Sequence, residues 1–156
     1  MRTMKKTNVT LYHGTERTNL ESILQYGFDP TKKSQEGWGN TYSLGTDFRA
    51  TYMTPVLDVA RVYAGEDGSI LATHIETLTC LYLDIDICPH QNRHGRSKRK
   101  KFQKMIREYI EREYQKGVVI DCIVNRNQEE FVFFEDRIDL LNQGLRQLCG
   151  EGIRRC

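Results

Sequence analysis

The chain has 156 residues, a hydrophobic fraction of 38% and a formal net charge of +2. This length suits one domain with a buried core, and this composition is typical of a folded globular protein rather than a disordered one. No apolar run approaches the roughly 18 residues that a membrane-spanning helix needs, and so small a net charge creates no overall field that would attract nucleic acid.

The first third of the chain predicts a strand, a helix and a long loop. Val9 to Tyr12 are β-branched or aromatic, which predicts the first strand. Apolar residues three and four apart predict a helix from Leu20 to Tyr26, and Gly27 is a typical helix end. Residues 31–48 are rich in Gly, Ser, Asn and Thr, and predict a long loop of the kind that often covers a functional site.

The middle of the chain predicts a short strand, a helix and two further strands. Tyr52 and Met53 form a brief extended piece. Thr54-Pro55 then provides a cap and a first-turn proline for a helix that reaches Tyr63. Ser69 to Ile75 and Cys80 to Ile85 are alternating or apolar, which predicts two strands.

The last part of the chain predicts a helix, a hairpin and a helical tail. Residues 87–101 are polar and irregular, and Phe102 to Lys116 have the spacing of an amphipathic helix. Val118 to Val124 and Glu130 to Phe134 flank a turn, which predicts a β-hairpin. The stretch from Ile138 to Leu148 has helical spacing.

This order of elements predicts a single domain of the α+β class. Strands and helices alternate at first, and mostly strands follow, with one long helical insertion, which is too antiparallel a pattern for a doubly wound sheet. We find no internal repeat and no linker. The expected domain therefore covers residues 1–156, with an insertion at about 87–116 and a helical tail at about 138–156.

Three segments far apart in the chain carry side chains suited to one nucleotide pocket. Glu130 could stabilise the positive charge that develops on a ribose when its glycosidic bond breaks. Gly14 lets a flat amide approach the main chain, and His13 could donate to a ribose hydroxyl. Tyr52 and Tyr63 could stack against a heteroaromatic ring.

Each of these residues also has a purely structural interpretation. His13 could pack against the first strand, and Tyr63 shares a helical face with apolar residues, as a core aromatic would. Glu130 lies beside a turn, where glutamates are usually solvated. Its neighbour Glu129 is an alternative acid, although Glu130 alternates with Val132 and is preferred for that reason.

Taken together, the motifs resemble a known family. The sequence His13-Gly14-Thr15, the pair Tyr52 and Tyr63 eleven residues apart, and Glu130 before an apolar strand are similar to the His-Tyr-Glu signature of ADP-ribosyltransferases of the diphtheria-toxin and poly(ADP-ribose) polymerase type. The resemblance spans roughly residues 9 to 140. It implies split antiparallel β-sheets that form an NAD cleft and are flanked by helices.

The resemblance also implies site residues. The implied catalytic residues are Glu130, His13 and Tyr52. The implied NAD-binding residues are His13, Gly14, Thr15, Tyr52 and Tyr63. Where the family commonly has a serine three residues before its second tyrosine, this chain has Ala60, which removes one hydrogen bond to the nicotinamide amide.

The implied activity is transfer of ADP-ribose, as a single unit, from NAD to a macromolecule, with release of nicotinamide. NAD is then a co-substrate, and the role is that of an effector, a toxin or a housekeeping enzyme. An NAD glycohydrolase, and an inactive module that binds NAD, ADP-ribose or nucleic acid, are the alternatives. An RNA 2'-phosphotransferase is disfavoured, since that family has a second histidine and basic residues in place of Glu130.

A basic run without acidic residues marks the insertion and is the best candidate for contact with the acceptor. Its cationic residues are Arg96, Lys98, Arg99, Lys100 and Lys101. A protein acceptor is favoured, nucleic acid is the alternative, and the run could also serve in nuclear import. We expect a monomer. No metal is expected, because Cys88, His90 and His94 lack a fourth ligand nearby.

Cysteine usage indicates a reducing compartment. The five cysteines are an odd number without Cys-x-x-Cys spacing, and Cys80 and Cys122 lie in strand-like runs where a thiol acts as a small buried group. The basic N-terminal residues 1–6 lead into no apolar signal core. We therefore expect a cytoplasmic or other intracellular location, with the nucleus and delivery into a host cell as alternatives.

Overall fold

The computed structural model describes residues 1–29, 50–84, 95–149 and 154–155. The loop expected at 31–48 and the Cys88, His90 and His94 group lie outside these residues. The strands are β1 (Arg2–Thr15), β2 (Ala50–Met53), β3 (Ser69–Tyr82), β4 (Cys122–Val124), β5 (Phe131–Phe134), β6 (Arg146–Cys149) and β7 (Arg154–Arg155). The helices are α1 (Arg17–Tyr26), α2 (Leu57–Ala64), α3 (Gly95–Gln115) and α4 (Asp139–Asn142), with a 3-10 turn at Glu135–Arg137.

The strands form one mixed, mostly antiparallel sheet. Six of them follow the order β2-β5-β4-β3-β6-β7, and β1 pairs with β3 off this path. The pair β3 and β4 is parallel, and the other strand pairs are antiparallel. The predicted α+β class is therefore confirmed, as is the hairpin of β4 and β5, in which Cys122 lies opposite Phe133.

The long ribbon of β1 and β3 changes the face that it turns to the larger core cluster near its middle. Its register is constant from Arg2 opposite Tyr82 to Thr15 opposite Ser69, but the position of Asn8 is skipped in the pairing. Asn8 has a φ of 53°, a left-handed conformation that asparagine adopts more readily than most residues. The residues of β3 in that cluster change phase there: they are Leu71 and Ile75 on one side of this position, and Leu78 and Cys80 on the other. The prediction of two strands in this region was wrong, because this phase change imitates a strand boundary.

The strands close into a circuit around a core. β1 occupies one edge of β3, so that β6 and β4 share the other edge, near opposite ends of β3. β5 and β2 follow β4, and β2 returns to β1 through a bridge between Tyr12 and Thr54. The circuit β1-β3-β4-β5-β2 encloses the larger core cluster. That cluster includes Leu11, Phe28, Met53, Leu71, Ile75, Leu78, Cys80, Cys122, Val124, Phe131, Phe133, Ile138 and Leu141.

Helix α3 covers the other face of β4 and β5. A second core cluster lies between them and contains Leu81, Leu83, Ile106, Ile120, Ile123, Val132 and Phe134. The predicted amphipathic helix is confirmed, but it begins at Gly95 rather than Phe102, so the basic run forms its first turns. The hydroxyl of Thr3 on β1 lies 2.9 Å from the Tyr109 hydroxyl and 3.0 Å from a Glu113 oxygen, which links the helix to the sheet.

An ion pair joins the chain before β4 to the turn after β5. Asp121 is 7% exposed, and one of its oxygens accepts hydrogen bonds from the Nε (2.9 Å) and Nη2 (2.8 Å) atoms of Arg137. The other oxygen accepts from the N–H of Thr79 at 2.8 Å. Because both oxygens are satisfied, this charge is held in the interior without an unpaired acceptor.

The predicted helical tail at 138–156 was wrong beyond its first turn. Of the residues that the structure describes in this stretch, α4 is the α-helical part, and Arg146–Cys149 form β6, which pairs with residues 70–72 of β3. The backbone groups of β3 beyond its pairing with β4 need hydrogen-bond partners. Strand β6 supplies them, and this gain is larger than the local preference of residues 146–149 for a helix. The strand predicted from Val118 is also shorter, since β4 begins at Cys122. Among the described residues, no helix is long and apolar enough to cross a membrane.

Two cysteines face each other in the larger core cluster. Cys80 and Cys122 are buried free thiols whose Sγ atoms lie 3.5 Å apart across neighbouring strands. Burial, reinforced by the contact with Cys80, raises the pKa of the Cys122 thiol well above its usual range. The prediction that these two are buried apolar-like groups is confirmed, and such thiols are unreactive.

Candidate functional site

Gly14 packs directly beneath helix α2. A β-carbon built on Gly14 would overlap the carbonyl oxygen of Ala60 and would lie 2.6 Å from the backbone nitrogen of Ala64. Both of those alanines are buried on α2. Close packing of a strand against a helix therefore explains this glycine without any ligand.

Strands β1 and β2 separate at this point. The N–H and C=O of Tyr12 bond to Thr54 at 2.7 and 2.9 Å. Alternate residues of an antiparallel strand direct their peptide groups to the same edge, so those of Gly14 also point away from β3. Continuing the register would place Tyr52 opposite Gly14, but the Tyr52 carbonyl accepts instead from Nδ1 of His13, at 2.8 Å. We call the gap between Gly14 and Tyr52 the β1–β2 opening.

The hydrogen bond to Tyr52 determines the tautomer of His13. A carbonyl oxygen only accepts, so Nδ1 carries the hydrogen and Nε2 of the neutral ring is an acceptor. Burial lowers the pKa of His13, and the bond to the Tyr52 carbonyl offsets part of that effect. The ring also meets Phe28 edge-on, with centroids 4.9 Å apart. His13 is thus suited to accept a hydrogen bond from a hydroxyl, not to donate one as its sequence context had predicted.

Asn125 holds the segment that leads into β5. Its Oδ1 accepts from the N–H groups of Glu129 and Glu130, each at 3.0 Å. Its own N–H donates to the Glu130 carbonyl at 3.2 Å. The turn includes Gln128 at a φ of 59°, and Lys6 donates to the Gln128 side chain at 2.7 Å. Glu130 therefore enters β5 from a turn with a defined shape.

The two candidate acids differ in their surroundings. Glu129 is exposed and accepts from the side chain of Asn127 at 2.7 Å. Glu130 is partly buried and alternates with Val132, so it lies on the face of the sheet that carries the second core cluster. Burial and the negative charge of Glu130 raise the pKa of Tyr63, which is 53% exposed on α2. Glu130 and Tyr63 thus share a neighbourhood although 67 residues separate them.

Tyr52 and Thr15 take structural positions. The Tyr52 ring packs against the second core cluster, opposite Val132 of β5. Thr15 is buried at the end of β1, opposite Ser69. The Tyr52 carbonyl, rather than its phenol, is the group that faces His13.

The structure brings some predicted residues together and separates others. Tyr12 and Thr54 are opposite each other and share a face, and Glu130 lies on the same face because it alternates with Val132, which is opposite Tyr52. His13 alternates with Tyr12 and faces the larger core cluster instead. The imidazole and the Glu130 carboxylate therefore project from opposite faces of the sheet, with the β1–β2 opening between them.

Thr54 and Asn125 are residues of the site that sequence reasoning missed as such. Thr54 anchors the bridge at the end of the opening, and its hydroxyl accepts from the N–H of Val56 at 3.1 Å. The helix α2 then begins at Leu57, later than the predicted Thr54-Pro55 cap. Asparagine in the turn before a strand is a typical signal for side-chain bonds to the following N–H groups, and it could have identified Asn125.

The comparisons with known proteins add no assignment: no protein-family model matches this chain, and no curated protein is significantly similar to it. Within residues 1–29, 50–84, 95–149 and 154–155, no group of three or more His, Cys, Asp and Glu side chains could hold a metal ion.

Proposed function

We propose that this protein transfers ADP-ribose from NAD to a macromolecular acceptor and releases nicotinamide. Two links between remote segments carry the proposal: Gly14 packs against the backbone of α2, and the charge of Glu130 raises the pKa of Tyr63 on the same helix. The ADP-ribosyltransferase form of the α+β fold, with its sheet split at an NAD cleft, is part of this proposal.

Each group has a role that its chemistry suits. The edge of Gly14 that points away from β3 would pair with the nicotinamide carboxamide, which needs one donor and one acceptor. Tyr63 would lie against the nicotinamide ring. His13 would accept a hydrogen bond from the adenosine ribose through Nε2. A dinucleotide lying along the opening would reach both faces, which the separation of His13 from Glu130 requires.

Glu130 would supply the catalytic charge. The bond between the ribose C1' and the nicotinamide nitrogen breaks, and its electron pair leaves with nicotinamide. The carboxylate stabilises the cationic ribose left behind. The acceptor nucleophile then bonds to C1' and its proton passes to Glu130. Glu129 is less suited to this role, because Asn127 holds it on the exposed side of the turn.

Further partners are part of the same proposal. We infer that the acceptor is a protein and that it contacts the basic first turns of α3. We also infer that the protein acts as a monomer inside a cell and transfers a single ADP-ribose. Those turns contain no acidic residue between Gly95 and Arg107. Water would be the acceptor in a glycohydrolase, and the reaction would otherwise be the same.

The test is mass spectrometry of a cell lysate incubated with NAD and the native chain. The native protein is expected to add the mass of ADP-ribose to protein, and Glu130→Gln is expected to add none. Glu129→Gln is the matched control and should behave as the native chain does. Equal labelling by the native chain and Glu130→Gln would contradict the proposal.

A second candidate is a module that binds NAD or ADP-ribose without cleaving it. The orientation of His13 and Glu130 on opposite faces favours this candidate, because binding at the opening does not need the acid. Calorimetric titration with ADP-ribose separates the two. The module predicts the same affinity for the native chain and Glu130→Gln, with no nicotinamide released by either.

A further inference from the structure

A polar face lies on the strands beyond the opening. Arg146 on β6 is opposite Ala72 on β3, and Ala72 is in turn opposite Tyr12 on β1. Opposed residues of antiparallel strands share a face, so these side chains lie in one row. In the next row on the same face, the Thr10 hydroxyl is hydrogen-bonded to Nδ1 of His74 at 3.2 Å. A guanidinium, a phenol, a hydroxyl and an imidazole thus belong to one face of the sheet, in the row of Ala72 and the next row.

One nitrogen of the Arg146 guanidinium has no hydrogen-bond partner. Its Nε is buried without a hydrogen bond, and within the described part of the chain it is the one buried side-chain nitrogen or oxygen in that condition. Leaving a buried donor of a charged group unpaired costs free energy. The contrast with Arg137 is direct, because Arg137 reaches Asp121 through two of its nitrogens.

We propose that Arg146, with Tyr12 and His74, binds a phosphate group of a ligand. Arginine presents several N–H donors in a planar fork that matches phosphate oxygens. A phosphate also accepts bonds from several directions, which suits donors that arrive from three different strands, whereas a carboxylate offers two oxygens in one plane. The site needs no cleavage of NAD, so it stands apart from the proposed function.

The site can be tested in the 156-residue chain by whether replacement of Arg146 raises or lowers the melting temperature. In phosphate-free buffer, Arg146→Met should melt about 2 °C or more above the native chain, since the variant removes an unpaired buried donor. Inorganic diphosphate should raise the melting temperature of the native chain but not that of Arg146→Met. Arg17→Met is the matched control: Arg17 is exposed on α1, and this variant should respond to diphosphate as the native chain does.

A second variant and a second ligand complete the test. Arg146→Lys keeps a positive charge without the fork and should retain a reduced response to diphosphate. Calorimetry should show binding about tenfold weaker or more in Arg146→Met. Weakened binding of both ADP-ribose and diphosphate would identify a dinucleotide as the source of the phosphate, and weakening of diphosphate alone would indicate another phosphate-bearing ligand. The proposal is overturned if Arg146→Met melts below the native chain, or if diphosphate stabilises it equally.

Discussion

Strand β5 and the residue directly before it differ in what determines their side chains: packing in the strand, and no packing requirement at Glu130. Phe131 to Phe134 are all buried, with alternate side chains in the two core clusters. Directly before them, Glu130 is partly exposed, is held by a turn and lies near a phenol on α2. Within a few residues the chain thus passes from positions determined by packing to a charge that packing does not require. This contrast identifies Glu130 as a candidate for function.

The largest expected change in the free energy of unfolding is at the buried positions of β5. Phe133 is 0% exposed in the larger core cluster, so Phe133→Ala should lower the free energy of unfolding by about 3–5 kcal/mol. Val62, which is 80% exposed on α2, is the control, and Val62→Ala should change stability by less than about 0.5 kcal/mol. Urea denaturation measures both. Similar losses in the two variants would mean that the core is not where the contacts place it.

A smaller loss of stability is expected at Gly14, which is both a packing residue and a residue of the candidate site. Gly14→Ala should cost about 1–3 kcal/mol, because a β-carbon there meets the backbone of α2. Gly144→Ala is the matched control, since its nearest new contact would be the Thr73 hydroxyl at 3.5 Å. If Gly14→Ala is as stable as the native chain but binds no NAD, the glycine serves a ligand and not the helix.

The pH dependence of stability probes His13. Above its ordinary pKa of 6.5 the ring is neutral in both states, so it contributes no slope. As the pH falls below that value, the unfolded chain takes up a proton before the native chain does, because burial lowers the native pKa. Stability should therefore fall between pH 6.5 and the lowered native pKa. The fall should be smaller in His13→Gln, and an equal fall in both proteins would remove His13 as its cause.

The smallest effect concerns the contact between Glu130 and Tyr63. Glu130→Gln should lower the pKa of Tyr63 toward its ordinary value of 10.0, while the part caused by burial remains. Spectrophotometric titration measures the tyrosines together, and Tyr63→Phe assigns the relevant component. A Tyr63 pKa that does not move in Glu130→Gln would mean that the two side chains do not share a site.

Sequence reasoning identified most elements and failed where the fold imposes its own demands. The β5 hairpin and the amphipathic α3 follow from apolar spacing alone. The unbroken β3 and the terminal β6 do not, because the change of buried face near Asn8 and the open edge of β3 are tertiary features.

The candidate site shows the same division. Residue types and spacing point to His13, Gly14 and Glu130, but not to the faces on which they lie. Those faces depend on the bridge between Tyr12 and Thr54 and on where the strands then part. The sequence spacing of the candidate residues does not indicate where β1 and β2 separate.

The rate of nicotinamide release from NAD tests the central claim most directly. We expect the native chain and Glu129→Gln to release nicotinamide at similar rates, and Glu130→Gln to be slower by about 10²–10³ because the ribosyl cation loses its stabilising charge. Release at the native rate by Glu130→Gln would contradict the account.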